Sequence, residues 1–351
     1  MASPDRSRRG PRTRPAADAA PRRGSGDAYP GGVLRRLLPL LALLAALGLA
    51  ACSGGDGRPE EDATLLLDFT PNAVHAGIFL ARSRAFDEAE GVRLEIQPPS
   101  DSTDAVKLLT ANRTDFAILD IHDLAIAREK GADLVAVMPV VQQPLASVIT
   151  GPDVRRPRDL EGRTVGVTGL PSDVAVLRSI VRGDGGDPER VKTTTIGFTA
   201  VQALLGGKVD GVTAFWNAEG VALKREKPDT RVFKLDRYGA PSYPELVLAV
   251  SRSTYQERRP LVRAVVTALK RGYDEAIADP ESGTTALVEA QEGLRQDLVL
   301  EELEAVSPAL VGSSVGFGVF GRRDVEEWAR WEAEVGITEE PVNVALAFGR
   351  P

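Results

Sequence analysis

Residues 64–96 read TLLLDFTPNAVHAGIFLARSRAFDEAEGVRLEI. Thr64–Phe69 is a short, mostly apolar run, which reads as a buried strand. A helical stretch follows from about His75 to Ala89, and Val92–Ile96 reads as the next strand. Two strands joined through a helix point to a parallel pair, because parallel neighbours need a long crossover.

The same alternation continues outward. Asp101–Ala111 reads as a helix capped by Ser100 or Asp101, Phe116–Leu119 as a strand, and His122–Lys130 as a helix closed by Gly131. Leu134–Met138 and Ala146–Thr150 are further strands. After a connector at Gly151–Pro157, a second block repeats the pattern: strand Thr164–Val167, an apolar helix to Val181, strand Thr193–Ile196, helix Thr199–Leu205 and strands Gly211–Phe215 and Arg231–Leu235. An apolar return strand, Leu246–Val250, precedes a helical end at about Pro260–Ala278, Glu281–Glu292, Leu298–Ser307 and Arg322–Val335. The expected fold class is α/β with two lobes and a cleft between them. Residues 63–150 and 245–351 form the first expected lobe, and residues 151–244 the second.

An internal similarity supports two related lobes. Ala105-Val106, Leu109 and Asp115 align without gaps on Ala200-Val201, Leu204 and Asp210 at an offset of 95 residues. The offset maps Ile121-His122 onto Trp216-Asn217, both just past a strand's carboxyl end, where open α/β sheets bind ligands. Helix–Asp–strand is also a common α/β junction, so common ancestry and chance stand level.

Composition narrows the chemistry. The 351 residues are 43% hydrophobic and 26% charged, an ordinary globular balance. Residues 1–36 carry a net charge of +6, and Cys52 onward carries −13 of the total −7. An acidic body is a poor partner for nucleic acid. The single cysteine excludes an internal disulfide, and two histidines, His75 and His122, make a His-rich metal site improbable. No metal and no cofactor are expected.

Residues 1–30 read as disordered, or as lying before a later true start near Val33. Arg35-Arg36 and the uncharged run Leu37–Ala51 form a signal-peptide pattern too short for an ordinary membrane span. Leu49-Ala50-Ala51-Cys52 resembles a bacterial lipobox, which implies cleavage before Cys52 and a lipid anchor on its sulfur. Residues 52–62 are then a polar tether. The expected location is extracytoplasmic, anchored to the cell membrane.

Several residues at predicted strand ends suit a small ligand. Asp68, Phe69 and Asn72 suit a planar molecule, although pattern favours a plain turn with Asn72 as a helix cap. His75 reads as a cap or packing residue; His122 follows Asp120 at a strand end and reads either as a donor to a ligand or as a plain helix-start histidine with no ligand. Gly169, Ser172 and Asp173 open a helix whose N–H groups could hold a carbonyl. Trp216, Asn217 and Glu219 form the strongest cluster: the indole could cover a ring and the carboxylate accept from an amine. Packing under a loop is the plainer reading of Trp216. Tyr243 lies in the loop before the return strand, and such loops at domain crossings often contact ligand or act as hinges, while Trp328 and Trp331 read as packing.

The run Leu67–Ala81, with Asp68, Pro71-Asn72, His75, Gly77 and Phe79, resembles the NMT1/THI5-like family of solute-binding proteins. Further likeness lies in Glu90-Gly91-Val92, Asp115–Ile118, Asp159–Val167 and Gly207–Gly211. The resemblance implies a type II periplasmic-binding fold serving an ABC permease and its ATPase, as a monomer. Within the family, the likeness is to binders of pyrimidine precursors of thiamine, such as hydroxymethylpyrimidine or formylaminopyrimidine. Riboflavin, sulfonate and nitrate binders share the fold. Phe69 stands where the family has Trp, and His122 matches a histidine near the ligand in related pyrimidine synthases. Those enzymes carry a Cys-rich stretch and a cofactor lysine that Tyr238–Glu245 and Phe116–Ile121 lack, so no enzyme activity is expected. The implied ligand stacks on Phe69 and Trp216 and hydrogen-bonds Asp68, Asn72, His122, Ser172 and Glu219.

Overall fold

The computed structural model describes residues 61–312 and 316–350. The basic leader, the apolar run and Cys52 lie outside the described residues. The first sheet has the order β2-β1-β3-β10-β4, with β1 Glu61–Leu66, β2 Val92–Gln97, β3 Phe116–Asp120, β4 Leu134–Val141 and β10 Leu246–Ser251. The second has the order β7-β6-β8-β5-β9, with β5 Ala146–Thr150, β6 Thr164–Val167, β7 Lys192–Thr195, β8 Gly211–Phe215 and β9 Arg231–Lys234. In each sheet the first three strands are parallel. In each, one antiparallel strand is inserted before the last: β10 in the first and β5 in the second.

Ala146–Thr150, expected to close the first block, therefore belongs to the second sheet. The chain leaves the first sheet between Val141 and Ala146, because β5 finds its backbone partners on β8 and β9. It returns before Leu246.

The repeat at offset 95 has a structural counterpart. β3 and β8 begin 95 residues apart, and each is preceded by an aspartate with one role. Asp115 accepts the backbone N–H of Thr64 at 2.9 Å, and Asp210 accepts that of Thr164 at 2.9 Å. In both halves the carboxylate satisfies an otherwise free N–H at the strand beside it.

The expected helix from His75 to Ala89 is broken into pieces. A 3₁₀ turn at Ala73–His75 leads into α1, Ala76–Ser83, and then Ala85 takes a left-handed φ of 54° before α2, Phe86–Ala89. Helices α3 (Asp104–Thr110) and α4 (Ile121–Glu129) complete the first half's early units, and α5 (Pro171–Gly183), α6 (Ala200–Leu205) and α7 (Glu219–Glu226) those of the second. The C-terminal helices are α8 (Arg252–Glu257), α9 (Arg259–Ala278), α10 (Pro280–Ala290), α11 (Gln296–Val311), α12 (Arg322–Val335) and α13 (Val344–Ala347). One core cluster joins the first sheet to α1, α9, α10 and α11 through Leu65, Ile78, Ile118, Val265, Leu269, Leu287 and Leu303. Trp328 and Trp331 are buried on α12, as packing residues.

Helix α1 packs closely against α9. A Cβ on Gly272 would fall into the Gly77 carbonyl oxygen and lie 2.6 Å from the Ala81 methyl. Tyr273 fills the space left by Gly77 and donates its hydroxyl to the Val74 carbonyl at 2.7 Å. Backbone on one side of the contact prevents simple repacking. Gly272→Ala is therefore expected to destabilise the chain by about 1–3 kcal/mol, the usual cost of overpacking, measured by urea unfolding.

Candidate functional site

A cavity of about 90 Å³ lies at the carboxyl ends of β3 and β8, between the two sheets. One buried water needs roughly 10–15 Å³ on this scale, so the space suits one small ring. Its walls include Asp68, Phe69, Asn72, Asp120, Ser172, Asp173 and Glu219 from the sequence reading. They also include Ser102, Asp123, Thr168, Thr213 and Phe215, which that reading did not select. Asp123 was legible in principle, since it sits three residues after Asp120 at the start of one helix.

Contacts across the cavity join the halves. Ser172 donates its hydroxyl to Asp123 Oδ2 at 3.0 Å, and Ser102 donates to the Thr168 carbonyl at 3.3 Å. Phe69 meets Phe198 edge-to-face at 4.4 Å. The two halves are thus closed on each other.

Local structure explains several wall residues. Asn72 caps the 3₁₀ turn, accepting from the Val74 N–H at 3.1 Å. His75 Nδ1 accepts the Asn72 N–H at 3.1 Å, which leaves Nε2 to donate to Asp68 Oδ1 at 2.9 Å. His75 is fully buried behind Asp68 and orients it rather than lining the cavity. Asp120 caps α4 through the His122 N–H at 2.7 Å. Gly169 has φ +110° and gives its N–H to Asp173 Oδ2 at 3.1 Å, beside the N–H of Leu170 at 3.2 Å. The helix N-terminus expected to hold a ligand carbonyl is therefore occupied by Asp173.

Four further expectations are corrected. Trp216 does not line the cavity: its indole N–H donates to the Pro144 carbonyl at 3.0 Å, and Lys234 Nζ sits 3.4 Å from the ring centroid. Asn217 is fully buried away from the cavity. His122 and Tyr243 are fully buried beneath it. His122 Nδ1 pairs with Glu332, and Nε2 lies 3.1 Å from the Tyr243 hydroxyl, which donates to Glu245 Oε2 at 3.3 Å. The physical reason is charge: an imidazole between buried carboxylates is held by them, not offered to a ligand. Burial alone lowers its pKa, but Asp120, Glu332 and Glu245 outweigh burial and push it up to about 10.

The cavity is acidic. Asp68, Asp120, Asp123, Asp173 and Glu219 line it, and among the described residues no Lys, Arg or His does. Burial, then the Asp68 and Asp173 charges, pushes Glu219 up to about 7. Burial and then Asp173 push Asp123 up to about 7, and burial raises Asp120 and Asp173. Such a wall suits N–H donors and cations and repels anions. Among the described residues, Asp120, His122 and Glu245 bring three possible metal-donor atoms within 4.8 Å of one another. His122 and Glu245 are already engaged with Glu332, Tyr243 and backbone N–H groups.

Comparisons with known proteins agree on family and fold. Residues 72–283 match the family model described as NMT1/THI5 like. The formylaminopyrimidine-binding protein of Halalkalibacterium halodurans is 31% identical over 87% of this chain and 96% of its own. A putative thiamine biosynthesis protein of Haemophilus influenzae is 28% identical over 65% of this chain and 73% of its own. Among solved structures, the alkanesulfonate-binding protein SsuA of Xanthomonas axonopodis pv. citri, bound to MOPS, superposes with a TM-score of 0.68 at 16% identity. That match covers 84% of this chain and all of the other. The expected two-lobed periplasmic-binding fold is the fold found.

The raised carboxyls make ligand-free stability depend on pH. Glu219 moves from 4.5 to about 7 on folding, and Asp123 from 3.8 to about 7, so the folded state holds protons that the unfolded state has lost. Their contribution is complete below the unfolded values and is lost as pH rises through 7. His122, raised from 6.5 to about 10, acts in the same direction at higher pH. The melting temperature of the ligand-free chain is expected to fall between pH 5 and pH 8 in scanning calorimetry. Glu219→Gln should flatten part of that fall.

Proposed function

The chain belongs to the NMT1/THI5-like family, and we propose that it is the substrate-binding lipoprotein of an ABC importer that captures an aminopyrimidine precursor of thiamine. Hydroxymethylpyrimidine and formylaminopyrimidine are the model ligands. The observation that carries the reading is a ring-sized cavity lined by carboxylates and free of basic side chains. An aminopyrimidine offers an exocyclic amine and a protonatable ring nitrogen, which a carboxylate such as Glu219 accepts together. Sulfonate and nitrate need cationic or strong donor groups that this wall lacks, although a sulfonate binder shares the fold. Riboflavin, with three fused rings, is large for the space.

In this reading Phe69 covers the ring and Asp68, Asn72, Asp120, Ser172 and Glu219 contact its edges. Asp173, His75 and His122 hold the wall in place. The lobes rock about the crossings at residues 142–145 and 239–245, as hinge-type binders do. The closed form presents the ligand to a permease and its ATPase. A lipid on Cys52 keeps the monomer at the outer face of the cell membrane. The synthase alternative has weaker support, because the sequence lacks the Cys-rich stretch and lysine of those enzymes.

Calorimetric titration with both pyrimidines, riboflavin, taurine and nitrate tests the proposal. One-to-one binding of a pyrimidine is expected, and binding of taurine or nitrate instead would discard it. Glu219→Gln is expected to weaken pyrimidine binding about 10–100-fold, the scale of a lost charge-assisted hydrogen bond of about 1.5–3 kcal/mol. Trp216→Ala should stay within about threefold of the native chain, a difference under ~1 kcal/mol.

A further inference from the structure

Asp123 lies in the first turn of α4, and only 5% of it is exposed. Its two oxygens differ. Oδ2 accepts the Ser172 hydroxyl from α5 across the cleft at 3.0 Å, while Oδ1 is buried with no hydrogen-bond partner. Among the described residues, Asp87, Glu245 and Glu332 also leave a carboxylate oxygen buried and unpartnered, but none of them lines the cavity. Asp173, the neighbouring wall carboxylate, is the opposite case. Thr168, Gly169, Leu170 and Thr213 all donate to it, so it has little left to offer a ligand.

A buried acceptor without a donor is costly and persists where something else fills it. We propose that Asp123 is a specificity-determining residue, whose Oδ1 takes a second N–H of the ligand from the first lobe while Glu219 reads an amine from the second. The inference rests on the aminopyrimidine reading and narrows it. The ligand carries two separate N–H-bearing groups, so the ring substituent away from the amine is itself an N–H donor. Ser172 on Oδ2 makes the same carboxylate part of the closed contact, so ligand recognition and lobe closure meet on one side chain.

The test titrates the full chain with three 4-amino-2-methylpyrimidines bearing a 5-aminomethyl, 5-formylaminomethyl or 5-methyl group. The native chain is expected to bind at least one of the two N–H-bearing compounds about tenfold or more tighter than the 5-methyl compound, the scale of one hydrogen bond. Asp123→Asn is expected to remove most of that preference, read as the ratio of the N–H-bearing to the 5-methyl affinity within the variant, whatever its absolute affinity. Ser172→Ala is expected to weaken all three compounds by a similar factor, since it loosens closure without reading the substituent. Circular dichroism melts establish that each variant is folded, and Asp123→Ser serves if Asp123→Asn is not. A native preference that survives in the folded Asp123 variant would overturn the inference and leave the aminopyrimidine reading intact. So would a native chain that binds all three compounds alike. A native chain that binds none of the three would overturn both.

Discussion

The Glu245 carboxylate ties together the two places where the chain passes between sheets. It is fully buried in the returning segment, and its Oε2 accepts the backbone N–H groups of Leu145 and Ala146 in the outgoing one, the latter at 2.9 Å. Its own carbonyl accepts the Ile121 N–H at 3.0 Å, where α4 begins beneath the cavity. β5 and β10, the two inserted antiparallel strands, start next to this junction, so each sheet is completed by a strand whose entry Glu245 positions. The cavity at the carboxyl ends of β3 and β8 inherits its geometry from that point.

Burying the Glu245 carboxylate has an electrostatic consequence. Burial raises its pKa, and His122 opposes that rise. His122 in turn is shared with Glu332 and Asp120, and Tyr243 connects it to Glu245. The His122 imidazole is therefore consumed in holding the crossing, as His75 is in holding Asp68, and neither lines the cavity. The wall above remains a set of carboxylates whose positive complement has to come from outside. This links the chain crossing to the chemistry of the wall: the groups that hold the crossing together take up the imidazole and leave the cleft acidic.

The paired aspartates at offset 95 show how the same device serves both halves. Asp115 and Asp210 each hold a backbone N–H of the neighbouring strand one residue before the pairing with it begins, so the resemblance between the lobes rests on a backbone requirement as well as on a pattern of letters. Glycine plays a comparable role where α1 meets α9, because only a missing side chain lets Tyr273 lie over Gly77.

Much was legible in the sequence because it depends on local periodicity and on motifs contiguous in the chain. The strand–helix alternation from Thr64, the return strand at Leu246, the helical end and the family motif around Asp68–His75 all follow from neighbours within a few residues. Asp68, Phe69, Asn72, Asp120, Ser172, Asp173 and Glu219 were legible as wall residues because strand ends announce them. The tertiary structure decided what depends on partners far along the chain. Ala146–Thr150 joins the second sheet through pairing with β8 and β9, and that pairing leaves no local mark. Trp216 turns to the Pro144 carbonyl, His122 is claimed by Glu332 from 210 residues away, and Asp123 meets Ser172 from the other half. A side chain's chemistry is written in its own letter, but which groups compete for it is set only when distant segments are packed together.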